Sequence, residues 1–160
     1  MIDGYPRILT VVTALGAGLS AGVFFAFSTF VMKGIGKIPP ASGIRAMQSM
    51  NKYAPNSLFG AVLFATAGLC VFLSVTALRR LREPSSIYLL VGSGAFLVAI
   101  IVTVVYHIPH NDSLAGLNPN AADSAAEWNS FQTGWNAWNH VRTLSSLVGA
   151  VAFTLALRAE

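Results

Sequence analysis

The sequence predicts an all-α integral membrane protein, a four-helix bundle in up-down-up-down order. Three observations carry that prediction. Hydrophobic residues make up 54% of the chain and charged residues only 10%, against about 25% charged in an ordinary soluble domain. Apolar stretches at 8–32, 57–78 and 85–107 are each long enough to cross a bilayer as a helix. The connections are hairpin-length, with no linker, internal repeat or low-complexity tract, so 1–160 reads as a single four-transmembrane-helix domain.

The first span is longer than the roughly 7–15 apolar residues of a secretion-signal core and lacks a small-x-small cleavage site, so it reads as a retained helix. Ala14, Gly18, Gly22 and Ala26 recur along it at every fourth position, a small-residue stripe of the kind that lets helix backbones approach closely. It reads first as a contact inside the bundle and second as a surface for a homo-oligomer. Gly92 and Gly94 in the third span, and Ser145 and Gly149 in the fourth, repeat the pattern more weakly. The second span contains Cys70, the only cysteine, which reads as a small core residue. The fourth apolar stretch, 143–157, is too short to span alone and extends backwards to 135–157. That extension draws Trp138, Asn139, His140 and Arg142 into the membrane boundary, where polar groups need partners.

Charge sets an orientation. The connection between the second and third spans carries Arg79, Arg80 and Arg82, which places it, and both termini, in the cytoplasm of a bacterial plasma membrane. Arg7 and Arg158 add to that side, while Lys33, Lys37, Arg45, Lys52 and Arg142 lie on the other. The formal charge of +4 suits anionic headgroups, and no basic-aromatic patch suggests nucleic acid.

The polar chemistry collects in the first and third connections, each of which holds a short amphipathic helix. Pro39 and Pro40 open the first helix, which carries Ile44, Met47 and Asn51 on one face, directing Asn51 toward the bundle mouth. The third span ends near His107, with Pro109 breaking the regular pattern. Ser124 and Glu127 form a capping-box pattern for the helix that follows. Trp128, Phe131, Trp135 and Trp138 then fall at helical spacing, either as an interfacial belt or as an aromatic wall for a planar ligand. Trp135, Asn139, Arg142 and Ser146 share one stripe of that helix. A guanidinium there needs a carboxylate, a carbonyl or a ligand oxygen, and Asp112 is the expected partner. His107, His110 and His140 lie at the same end. With Asp112 they are the candidate ligands for zinc, iron or copper, but Pro109 spoils the spacing and the expectation is that no metal is required.

At these residues the chain resembles the anthrone oxygenase family of small four-span membrane proteins. The resemblance rests on Phe24-Phe-Ala-Phe-Ser-Thr-Phe-Val31, Pro39-Pro, Ala46-Met-Gln-Ser-Met-Asn51, Pro109-His-Asn-Asp-Ser-Leu114 and above all Trp135-Asn-Ala-Trp-Asn-His-Val-Arg-Thr143. It implies an oxidoreductase, a monooxygenase-type activity that oxidises an anthrone to an anthraquinone with dioxygen and without an organic cofactor. The matched polar residues are Asn51, Asn111, Trp138, Asn139 and Arg142, with Asp112 and His140 beside them. His107 stands where the family pattern has asparagine, and His110 where it has an apolar residue.

The residues can support such chemistry. Deprotonation opposite an anthrone carbonyl gives an enolate that reduces dioxygen, which asks for a base and an oxyanion partner. His107 or Asp112 is the candidate base, and Arg142 with Asn139 or Asn51 holds the oxyanion. Asn51, Asn111, Trp135, Trp138 and His140 form the binding surface for a lipophilic aromatic molecule. The competing reading is a non-catalytic binding or accessory subunit in which the polar end only staples helices. A transporter fits poorly, because no span carries a charge at its middle.

Overall fold

The computed structural model describes residues 5–159, and every regular element among them is helical. Helix α1 (Tyr5–Ala26) passes through a π-helical turn, Phe27–Val31, into α2 (Met32–Ile35). Pro40 at the first turn opens α3 (Pro40–Tyr53), because a proline there forfeits an N–H that would have no intrahelical partner. Ser57 caps α4 (Leu58–Leu78) by accepting from the Gly60 amide, and Pro84 opens α5 (Pro84–Val102). A second π turn, Thr103–His107, joins α5 to α6 (Ile108–Ala115), and α7 (Ser124–Ala156) closes the chain.

Three helical stretches are long and apolar enough to cross a membrane: Arg7–Ile35, Leu58–Leu78 and Pro84–Ala115. The third does not end at His107. A proline crowds the carbonyl four residues before it and donates no amide. For Pro109 that carbonyl belongs to Val105, inside the π turn, where the hydrogen-bond ladder is already loosened by one residue. The helix therefore continues through Pro109. Helix α7 has 33 residues, roughly 50 Å at 1.5 Å each, so it outreaches the ~30 Å apolar layer.

Helix α7 packs on α1 and α5, and α4 packs on the same two helices from the other side. Phe24, Leu63, Cys70, Leu73, Phe96 and Phe153 fill the space between them. A second cluster, Met32, Ile44, Met47, Leu114, Trp128 and Trp135, lies where α3 and α6 cover the first half of α7. Gln48 ties α3 down by donating to the Leu114 and Leu117 carbonyls at 2.9 and 3.0 Å.

Two sequence expectations about local structure are corrected. The Ser124 hydroxyl donates to the Pro119 carbonyl at 3.1 Å instead of capping α7, so the capping box does not form. Of the Ala14–Gly18–Gly22–Ala26 stripe, Ala14 packs against the core, but Gly18 and Gly22 face outward in an open groove, where a Cβ built on either meets nothing within 4 Å. The face of α1 that turns inward carries Thr10, Thr13, Ala17, Ser20 and Phe24, and Ser28 in the π turn continues it. Hydroxyls win that position because in an apolar solvent they need hydrogen-bond partners. Thr13 and Ser20 find theirs in the carbonyls of Leu9 and Gly16.

Candidate active site

Arg142 is only 6% exposed, and no carboxylate among the described residues pairs with it. The expected Asp112 clasp is absent because Asp112 is exposed on α6. What holds the guanidinium is neutral. Nε and Nη2 donate to Asn139 Oδ1 at 3.1 and 2.6 Å, and Nη1 donates to Thr103 Oγ1 at 3.4 Å. The Phe24 and Trp135 rings lie 4.3 and 5.3 Å from its central carbon, a cation–π setting. Nη1 and Nη2 each keep a further N–H for a ligand.

The Asn139 amide has one possible orientation. Its Nδ2 lies 2.8 Å from the Phe24 carbonyl, which can only accept, so the nitrogen faces α1 and Oδ1 faces Arg142. Nδ2 also donates to Ser28 Oγ at 2.8 Å. Thr143 spends its proton on the Asn139 carbonyl, so in the 3.2 Å contact between Ser28 and Thr143 the hydroxyl of Ser28 donates. Thr103 likewise donates to the Ala99 carbonyl and keeps its oxygen for Arg142. Ser28 and Thr103 belong to the two π turns, which thus grip α7 from opposite sides. Insertions of this kind gather at functional sites because they re-aim backbone and side chains together.

Two cavity lobes meet at Asn51, Ala54, Phe59, Asn111 and Arg142. One, of about 90 Å³, is walled by Phe24, Phe27, Met47, Met50 and Trp135. The other, of about 120 Å³, is walled by Leu63, Phe64, Thr103, His107 and Ile108. Each alone is smaller than the roughly 300–1,000 Å³ of a usual small-molecule site. Asn111 accepts from Trp135 Nε1 at 3.0 Å, leaving its own NH₂ for other partners. Asn51 Nδ2 is buried with no partner in the protein. An outer vestibule lined by Gln48, Lys52, Asp112 and Ala115 reaches the same two asparagines.

His107 is buried with its ring edge-on to Trp135. Its Nδ1 lies 3.4 Å from the Val102 carbonyl and its Nε2 3.3 Å from that of Trp135. Both ring nitrogens are turned to backbone, so neither aims a lone pair into the cavity. His110 stacks on Tyr106 at 3.8 Å on the exposed side, and Tyr106 in turn contacts Trp138. Trp138 and His140 are exposed and line neither lobe.

The structure thus gathers Asn51, Asn111, Trp135, Asn139, Arg142 and His107, sets Asp112 at the vestibule, and leaves Trp138, His110 and His140 outside. Among the described residues no three His, Cys, Asp or Glu side chains come together to hold a metal. The sequence reading missed Phe24, Ser28 and Thr103. A serine amid phenylalanines and a threonine deep in an apolar span were the available signals. A model of the anthrone oxygenase family matches residues 47–152. Comparison with curated proteins and with solved structures gave no match.

Proposed function

This chain belongs to the anthrone oxygenase family, and from that premise we propose that it is a membrane oxidoreductase that oxidises a lipophilic anthrone or related phenolic with dioxygen. The observation that carries this reading is a buried guanidinium without a carboxylate, beside the unpartnered Asn51 amide, at the junction of two apolar lobes. An uncompensated buried cation is costly, and an oxyanion formed in the cavity offsets that cost. Arg142 and Asn51 are the oxyanion partners, Asn139 and Thr103 aim the guanidinium, and Trp135 with Phe27 and Met47 walls the rings.

The base is Asp112 rather than His107, because both nitrogens of His107 face carbonyls while the Asp112 carboxylate borders the vestibule. Asp112, directly or through one water, takes a proton from the ring carbon opposite the carbonyl, and charge moves onto the oxygen held by Arg142. The enolate passes two electrons to dioxygen and forms a carbon–oxygen bond. Loss of water from the resulting hydroperoxide leaves a quinone: one oxygen atom enters the ring and the other departs as water. No metal or organic cofactor is required by this scheme.

In the same proposal the chain is a single four-span bundle in up-down-up-down order, α7 supplying the fourth span. The contacts of α7 with α1 and α5, and of α4 with both, support it. The Arg79–Arg82 connection and both termini face the cytoplasm. Cysteines placed at Leu81 and Asn120 in a Cys70→Ser background test the orientation. Labelling of Leu81→Cys in intact cells by an impermeant reagent, with Asn120→Cys protected, reverses it.

Purified protein incubated with an anthrone, followed by quinone absorbance and oxygen uptake, tests the activity. Matched quinone formation and oxygen consumption, at one molecule each, are expected. Tight binding of the anthrone without oxygen uptake would instead identify a binding or accessory subunit.

A further inference from the structure

We propose that the lobe between α4 and the joined α5–α6 helix is a lateral portal, through which a neutral aromatic substrate dissolved in the bilayer reaches Arg142. The inference rests on the oxygenase reading above. The two lobes differ in what they reach. The one walled by Phe24, Phe27, Met47 and Trp135 touches only buried or half-buried residues. The other runs from Arg142, Thr103 and His107 past Leu63 to Phe64 and Ile108, which are 49% and 42% exposed, and to the exposed Pro55.

Phe64 lies six residues into α4, roughly 9 Å along the helix, and Ile108 lies on the facing membrane-crossing stretch Pro84–Ala115. This opening therefore meets lipid. Its rim offers no hydrogen-bond donor, so a charged molecule would lose its solvation there with nothing in return. A neutral ring system crosses it freely.

Polarity rises inward along the same path, from Phe64 and Ile108 through Thr103 to Arg142 and the Asn51 amide. A substrate that enters neutral and loses its proton inside is held by the guanidinium and cannot return through an apolar rim. The proton has an exit beside the portal, because the vestibule of Gln48, Lys52 and Asp112 joins the cavity at Asn51 and Asn111 and shares Pro55 and Ile108 with it. Organic substrate thus crosses on the Phe64 side and the proton on the Lys52 and Asp112 side, and the quinone, which is neutral again, leaves past Phe64.

The test uses the full chain in phosphatidylcholine proteoliposomes with unsubstituted anthrone as the probe. Phe64→Cys in a Cys70→Ser background is blocked after folding with a bulky maleimide, and Lys52→Cys is blocked in the same way at the vestibule. Blocking Phe64 is expected to raise the apparent KM about 10-fold with kcat within about twofold, the pattern of lost uniform binding. Blocking Lys52 leaves KM unmoved. A KM rise on blocking Lys52 that equals or exceeds the rise at Phe64 overturns the portal. Retention of radiolabelled anthraquinone by the same four samples, blocked and unblocked, provides a readout without turnover. If the unmodified protein oxidises no anthrone, the oxygenase reading fails. The portal is then decided by whether retention falls with the Phe64 block, as expected, or with the Lys52 block, which overturns it.

Discussion

The two ends of the helix cluster solve the same packing problem in opposite ways. Where α5 meets α7 away from Arg142, small residues let the two helices close until nothing fits between them: a Cβ at Gly92 would stand 3.0 Å from the Phe153 ring, and one at Gly149 would stand 3.2 Å from the Gly92 carbonyl. At the Arg142 end, Asn139, Ser28 and Thr103 hold α7 to its neighbours through hydrogen bonds, and a cavity remains. Close packing leaves no room for a ligand, whereas a polar frame fixes geometry at a distance and keeps the space open. Stability therefore concentrates in the glycine-packed end and function in the polar one, and substitutions separate the two.

The largest effect is expected at the vestibule. Asp112→Asn removes the proposed base from an exposed position that the fold does not depend on. Anthrone turnover should fall by about 10²–10⁴-fold, the usual worth of a positioned base, with the melting temperature unchanged. Turnover that survives Asp112→Asn at near its original rate would return the role of base to another group.

Arg142→Lys comes next. Lysine keeps the charge but loses the fork that grips Asn139 and still offers N–H groups to a ligand. Turnover or anthrone affinity should drop by about 10-fold or more, on the ~1.5–3 kcal/mol scale of a charged hydrogen bond. The measurement pairs kinetics with thermal melting. A large loss of melting temperature with normal activity in the folded fraction would show that Arg142 serves only the fold.

Gly149→Leu probes the opposite end. With Phe96 Cβ 3.3 Å and the Gly92 carbonyl 3.2 Å from the new Cβ, overpacking should cost about 1–3 kcal/mol. Thermal unfolding in detergent reads that loss. Specific activity of the folded fraction should match the parent protein, and a selective loss of activity would show that the two ends are coupled.

Much of this architecture was legible because membrane solvent writes strong rules into sequence. Hydropathy located three membrane-crossing stretches, Pro40 marked the start of α3, and the Trp135–Asn139–Arg142–Ser146 spacing identified the buried face of α7. What stayed hidden has physical reasons. A π turn adds one residue to a helix without altering composition, so neither Phe27–Val31 nor Thr103–His107 was visible, and Pro109 looked like a helix end. Helix α1 carries two small-residue faces. Spacing alone cannot choose between them, whereas the hydroxyls of Thr13 and Ser20 mark the inner one. Charge pairing suggested Asp112 for Arg142, because an amide and a ring face carry no sign that a sequence search can match.

The smallest effect is the sharpest test of the polar frame. Ser28 lies outside the family-matched residues and touches no lobe of the cavity, but its oxygen accepts from Asn139 Nδ2 at 2.8 Å. Ser28→Ala leaves Asn139 bonded to the Phe24 carbonyl and to Arg142, and removes one of the two acceptors of its NH₂ together with the Ser28–Thr143 hydrogen bond. The cost should be about 1 kcal/mol, the worth of a neutral hydrogen bond, read as a roughly fivefold lower kcat with KM unchanged. If Ser28 acts through the guanidinium, the loss disappears once that fork is gone. Ser28→Ala combined with Arg142→Lys should then be no slower than Arg142→Lys alone. Strictly additive losses would mean that the first π turn supports the bundle but does not aim Arg142.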